Sequence, residues 1–236
     1  MEHIALLREL VESDRWIDRV RAQRNHLPEI TERTEIETAL RGLLTALTAA
    51  QSALQPVADE FARVTNEATT LRDRAARLDA SLAASTAGPR ELESLQKEVT
   101  HVRELLSAVE DKEVELMLAV EPLETQVHDI KSQAQPLGAR RTELTETIAE
   151  LQASLDEEIA ALVEQRNARA AAVPAPWLAR YEAALRRAGT SGAAFVDAGK
   201  CDGCRIALAP LDIDRFKQSA QGDLIECPEC GRLLLP

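Results

Sequence analysis

From Ile36 to Leu82, fourteen apolar positions (Ile36, Leu40, Leu43, Leu47 and onward) recur at alternating steps of four and three with no polar interruption. A step averaging 3.5 residues keeps one stripe turned toward a partner helix, which is the coiled-coil pattern. After Gly88-Pro89 the rhythm resumes at Leu92, Leu95, Val99, Val102, Leu106 and Val109 and runs to Leu162, interrupted at Glu113, Arg141 and Glu158. Gly88 leaves helical dihedrals at little cost. Pro89 suits the first position of a helix, where the N–H it lacks would go unbonded, and Glu91 favours the positive helix start. Each stripe needs a partner and the nearest is the other arm. The pattern therefore predicts an intramolecular antiparallel hairpin turning near residues 85–90, rather than one kinked helix paired in parallel with a second chain.

Ahead of the regular stripe, Leu6, Leu10, Ile17, Val20 and Leu27 keep the same rhythm, with Ser13 and Arg24 at two of its positions. The step from Leu27 to Ile36 is nine residues, so the register slips. Pro28 sits at the slip and predicts a bend or short break, because an internal proline removes a helical hydrogen bond at a cost of about 3 kcal/mol. For a turn at Gly88, facing residues have numbers adding to about 176. Pro56 with Pro122, and Gly42 with Pro136, each add to 178. The breakers should meet in pairs across the hairpin, either as shared joints or as separately tolerated kinks. A kinked hairpin over residues 1–172 follows.

Ala170-Ala171-Ala172-Val173-Pro174-Ala175-Pro176 ends the return helix, since two prolines in three residues cannot continue it. Residues 173–192 read as a linker and a short amphipathic helix, Trp177 to Arg187, closed by Gly189. Its role is packing at the base of the hairpin, with Trp16 nearby in an aromatic cluster. The alternative is a stacking platform of Trp177 and Tyr181 beside Arg180, Arg186 and Arg187.

Cys201-Asp202-Gly203-Cys204 and Cys227-Pro228-Glu229-Cys230 form a C-x2-C-x22-C-x2-C array. Two residues between cysteines let a knuckle aim both sulfurs at one ion, and two knuckles complete a tetrahedral cage. Cys201, Cys204, Cys227 and Cys230 are thus the candidate ligands of one structural Zn2+. A rubredoxin-like iron centre and a redox dithiol are the weaker alternatives. Short apolar runs around Ala194–Val196, Arg205–Leu208, Leu224–Ile225 and Leu233–Leu235 read as ribbon strands over 193–236. Between them Asp212 to Lys217 reads as a helical turn capped by Asp212. The fold class is mainly α: a long antiparallel coiled-coil hairpin with a small C-terminal zinc-ribbon β domain.

Charge modifies this picture. The 236-residue chain carries a net charge of −12. From Trp177 onward eight basic residues face eight acidic ones, leaving 20 basic against 32 acidic in the first 176. An acidic hairpin repels phosphate backbones, so a nucleic-acid contact would fall to the tail cations Arg180, Arg186, Arg187, Lys200, Arg205, Arg215, Lys217 and Arg232. No run approaches the roughly 18 apolar residues of a membrane span, and no charged start leads an apolar leader, which predicts a cytoplasmic protein without membrane contact. His3, His26, His101 and His128 show no ligand spacing, and no phosphate loop or nucleophile motif occurs. The chain therefore reads as neither an enzyme nor a binder of small-molecule substrates.

The chain resembles the bacterial four-cysteine zinc-ribbon proteins with a coiled-coil hairpin stalk. The resemblance is carried by Pro89-Arg90-Glu91-Leu92, Leu95-Gln96-Lys97-Glu98, Glu110-Asp111, Met117, Arg180-Tyr181-Glu182, CDGC and CPECGRLLL. Members of that family act in flagellar gene control, contacting an alternative sigma factor and a transcript, or as scaffolds in type III secretion. The resemblance implies a non-catalytic adaptor or chaperone-like scaffold with protein partners along the hairpin or at its tip. The alternative is a regulator binding RNA or DNA through the ribbon and adjacent basic helix. Pro56, Pro122 and Pro136 in the stalk, and an end at Leu235-Pro236 without an aromatic, depart from the family pattern.

Overall fold

The structure is a computed structural model that describes residues 2–86, 88–219 and 224–236. Ala87 in the predicted turn and residues 220–223 of the predicted ribbon lie outside the described residues. The chain forms two compact units, Met1–Glu32 with Leu144–Pro236, and Arg33–Glu143.

In Arg33–Glu143 two helices, α2 (Pro28–Ala84) and α3 (Pro89–Ala172), pair antiparallel. Ion pairs cross between them, among them Arg72 to Glu110 and to Glu113, Arg74 to Glu98, Arg103 to Asp79, and Lys112 to Glu60. Their residue numbers add to values between 172 and 185, bracketing the 176 expected from the turn. Glu113, a polar interruption of the stripe, thus reaches Arg72 at 3.0 Å. Glu60 accepts from Arg63 and then Lys112, which together hold its carboxyl at about 2. The seam buries mainly small residues on α2 (Ala50, Val64, Ala68, Ala75) and valines on α3 (Val99, Val102, Val120, Val127), while its leucines stay half-buried. Two helices can cover each other on one side only.

Pro89 occupies the first position of α3, and the Gly88 carbonyl accepts the N–H groups of Glu91 and Leu92 at 3.0 and 3.1 Å. Gly88 does not adopt a left-handed conformation, so its role is that of an unhindered cap. Helix continues through Pro56, Pro122 and Pro136, so these prolines are not breaks in the backbone. Between the two breaker levels Ala50, Val127 and Ile130 are buried, with Leu43, Leu47 and Leu54 packed on them.

The other unit, here called the base, is built on α1 (Glu2–Asn25) and the last turns of α3. The slip at Pro28 is a short break: α1 stops at Asn25 and Pro28 opens α2. Helix α4 (Ala175–Ala188) follows, closed by Gly189 at φ 84°, whose N–H bonds the Leu185 carbonyl. Three short strands then form a sheet in the order β2-β1-β3, with β1 at Ala193–Asp197, β2 at Lys200–Cys201 and β3 at Leu233–Leu235. β1 runs antiparallel to β2 and parallel to β3, pairing Val196 with Cys201 and Ala194 with Leu234. One core joins Leu7, Leu10 and Val11 of α1 to Tyr181 and Ala184 of α4 and to Ala193, Leu233 and Leu235 of the sheet. Leu7 and Val11 lie off the four-three stripe, because α1 here meets α4 and the sheet as well as α3.

Four local expectations are corrected. Arg205–Leu208 and Leu224–Ile225 form no strands; single bridges, Lys200 to Ala207 and Glu226 to Leu233, replace them, and the left-handed Arg205 breaks the first run at its start. The helix between the knuckles, α5, spans Pro210–Ser219, and Asp212 lies in its first turn instead of capping it. Ile159, not Glu158, continues the seam. Among the described residues Trp16 joins no aromatic cluster; it is 46% exposed under Arg19, whereas Trp177 lies beside His3.

Candidate metal centre

The four cysteine sulfurs lie within 4.8 Å of one another. Cys201 to Cys230 and Cys204 to Cys227 are each 3.9 Å apart. A tetrahedron with Zn–S bonds of about 2.3 Å has edges of about 3.8 Å, so the donor set fits a zinc ion. The two knuckles are built alike. After the second cysteine of each, Arg205 (φ 63°) and Gly231 (φ 68°) take the left-handed conformation. Their N–H groups return to the carbonyls of Cys201 and Cys227 at 2.7 and 2.9 Å. Glycine meets that demand without strain; arginine does so against its steric preference.

Burial pushes the Cys201 thiol up to about 12, against the N–H groups of Cys204 and Gly203 that favour its thiolate. Burial also acts on Cys230, but donation from the Arg232 backbone and side chain holds that thiol at about 7. Thiolate ligands must lose their protons, so binding of the ion releases them. With four protein ligands no position stays open for an activated water, and the chemistry this centre supplies is structural.

The eight tail cations do not form one surface. Arg232 is 9% exposed and donates to the carbonyls of Ser191 and Ala188 and to Thr190, holding the start of β1 to the second knuckle. Arg180 donates to the Leu224 carbonyl, and Arg187 to Glu226 and the Gly231 carbonyl, so both tie α4 to the ribbon. Arg186, Lys200, Arg205, Arg215 and Lys217 are exposed, with Asp212 at 3.9 Å from Arg215. Gly203 is required for space more than flexibility: a Cβ there would lie 2.7 Å from Arg232 Cδ and 3.1 Å from Ala194 Cβ. Tyr181 is fully buried, which removes it from any stacking platform.

Several anchors of the centre are absent from the sequence-based candidates. Asp202, inside the first knuckle, accepts the Phe195 N–H at 2.7 Å on one oxygen and Arg15 of α1 at 2.8 Å on the other. Arg8 and Arg15 both sit over the Phe195 ring. Deeper in the base, Asp14 accepts the Tyr181 hydroxyl at 2.6 Å and Arg166 Nε at 2.9 Å, while Arg166 also donates to Glu182. Arg169 donates to Ser13, itself bonded to the Glu9 carbonyl. One signal could have found this network: Asp14 and Arg166 add to 180, so the hairpin register already set opposite charges across the seam. Beside it an open groove of about 880 Å³ is lined by Trp16, Arg15, Arg19, Leu162, Arg169 and Phe195, among others.

Two cysteine knuckles on a three-stranded ribbon, carried by a helical hairpin, define a zinc-ribbon hairpin protein. The chain belongs to the CT398-like coiled coil hairpin domain family, matched over residues 10–189, and its tail matches the C4-type zinc ribbon domain over residues 200–234. It is 24% identical to the uncharacterized protein Rv2229c of Mycobacterium tuberculosis over 97% of this chain and 93% of that protein. A solved Mycobacterium smegmatis structure superposes with a TM-score of 0.82 at 23% identity, covering 99% of this chain and 98% of that one. CT398 from Chlamydia trachomatis gives 0.66 at 18% identity, covering 99% and 97%. HP0958 from Helicobacter pylori gives 0.56 at 17%, covering 99% and 96%. The resemblance read from the sequence is thus established, and with it the structural zinc. Among the described residues, no helix is long and apolar enough to cross a membrane.

Proposed function

We propose that the protein is a non-catalytic cytoplasmic adaptor that binds protein partners through its hairpin and through the surface of its base. The observation that carries this reading is the exposure of large apolar side chains where a self-contained helical pair would present polar ones. Trp16 opens onto the base groove, and Val114, Met117 and Leu118 stand together on α3. Use of all four thiols as metal ligands supports a non-catalytic role. The inward bonds of Arg180, Arg187 and Arg232 argue against a continuous cationic face for nucleic acid.

Two measurements test this. A photo-cross-linking amino acid placed at Trp16 or Leu118 in the native host should yield discrete protein adducts; no protein adduct at either position overturns the reading. Zinc-loaded full-length protein should leave the anisotropy of labelled single-stranded RNA and duplex DNA unchanged at low salt. Saturable binding that weakens with salt and is lost in Arg186→Ala/Lys200→Ala/Arg205→Ala would favour the nucleic-acid regulator instead.

A further inference from the structure

The stretch Glu110 to Glu124 of α3 carries two features that the hairpin does not use. Val114, Met117 and Leu118, at spacings of three and four, form a single stripe and are 51%, 49% and 61% exposed. The seam at this level is made instead by Glu113, Leu116, Val120 and Leu123, which are half-buried or buried. The stripe is therefore a second apolar face of the same helix.

Its surroundings are acidic. The stretch holds six acidic residues and one lysine. Glu110 and Glu113 are engaged by Arg72, and Lys112 by Glu60. Asp111, Glu115, Glu121 and Glu124 are exposed and have no ion pair among the described residues. In addition, Pro122 has no N–H to offer the Leu118 carbonyl four residues earlier, so an acceptor lies at the end of the stripe without its usual helical donor.

We propose that this stripe is the docking site for a basic amphipathic helix of a partner protein, whose apolar face covers Val114, Met117 and Leu118 while its lysines or arginines meet the four free carboxylates. This rests on the adaptor reading and names its site and partner chemistry. Charge complementarity selects the occupant. A second copy related by a two-fold axis would set these carboxylates against themselves, and a nucleic acid or an anionic lipid surface would meet the same repulsion. The short stripe suits a transient contact, of the helix-on-helix kind read by anchors at spacings of three and four.

The test uses full-length zinc-loaded protein and two labelled peptides with one leucine face, flanked by lysine and arginine in the first and by glutamate in the second. The basic peptide should bind saturably and at least tenfold tighter than the acidic one. Val114→Ser/Leu118→Ser should weaken it about tenfold, whereas Leu44→Ser, at another exposed leucine, should leave it unchanged. Equal binding of a scrambled basic peptide with no apolar face, or no effect of the double variant, overturns the proposal. So does a concentration-dependent dimer in sedimentation that Val114→Ser/Leu118→Ser abolishes, which would make a second copy the occupant. Cross-linking separates the two levels of inference: adducts at Trp16 but none at Leu118 sink this site alone, and none at either sinks the adaptor reading as well.

Discussion

In Arg33–Glu143 the charged groups that cross between helices, such as Arg103 to Asp79 and Arg74 to Glu98, stand in solvent. In the base Arg166 meets Asp14 with both side chains mostly buried. The first kind of pair is screened, costs side-chain entropy, and adds little to stability. The second is desolvated and leaves a buried charge uncompensated if one partner is removed. Apolar packing differs in the same direction. The hairpin unit buries small residues along one stripe, whereas the base draws one core from α1, α4 and the sheet. The hairpin is thus specified by repetition and tolerates local change, while the base is specified by a few side chains that each hold several elements.

The largest expected effect is at the metal. Chelation of zinc, or Cys227→Ser, should abolish the ribbon's tertiary structure, because structural zinc sites supply on the order of 10 kcal/mol of folding free energy. The far-ultraviolet helical signal should persist, since the hairpin does not depend on the ion; a parallel loss of helix would show that the two regions are not separable. Zinc affinity should also rise with pH through neutrality, as the buried Cys201 thiol must lose its proton to bind.

Next in size is the buried network. Asp14→Ala should cost about 3 kcal/mol in chemical denaturation, because it takes the acceptor from the Tyr181 hydroxyl and leaves the mostly buried Arg166 with Glu182 as its carboxylate partner. Tyr181→Phe should cost less, about 1–3 kcal/mol. Burial, followed by the Asp14 carboxylate, raises the Tyr181 phenol well above its ordinary 10.0. The contribution of this group to stability is therefore complete below the unfolded value near 10 and declines as pH rises beyond it. Because Tyr181 is the sole tyrosine, absorbance of tyrosinate should appear only with unfolding, and Tyr181→Phe should flatten the alkaline loss.

A smaller change sharpens the account of the knuckle. Gly203→Ala should cost about 1–3 kcal/mol by pressing on Arg232 and Ala194, read as a lower melting temperature and faster zinc loss to a chelator. At the other extreme, Gly42→Ala and Gly138→Ala should each stabilise the hairpin by about 0.5–1 kcal/mol. An added Cβ meets nothing within 4 Å at either site, and alanine favours helix. A destabilised Gly42→Ala would mean that this breaker level has a role beyond tolerance.

Much of the hairpin was legible because a coiled coil is nearly one-dimensional. The spacing of Ile36 to Leu82, the cap at Gly88-Pro89 and a single register number suffice to predict which levels of α2 and α3 face each other, and the crossing ion pairs agree. The four cysteines were legible for a related reason, since their spacing encodes the cage directly. What escaped was the use of charge in the base. Arg232 reads as a surface cation in the chain but is a buried tether, and Asp202 reads as a knuckle spacer but is the link to Arg15.

By itself, then, the sequence determined the helical pairing, the position of the turn and the ligand set, because each depends on periodicity or on neighbours a few residues apart. Where the arginines point, and that Asp14 receives Tyr181 across 167 positions, was settled by tertiary packing. A charged side chain has no preferred partner along the chain. Whether it meets water or a buried carboxylate depends on which elements converge around it, and that convergence is set by the packing of the whole base.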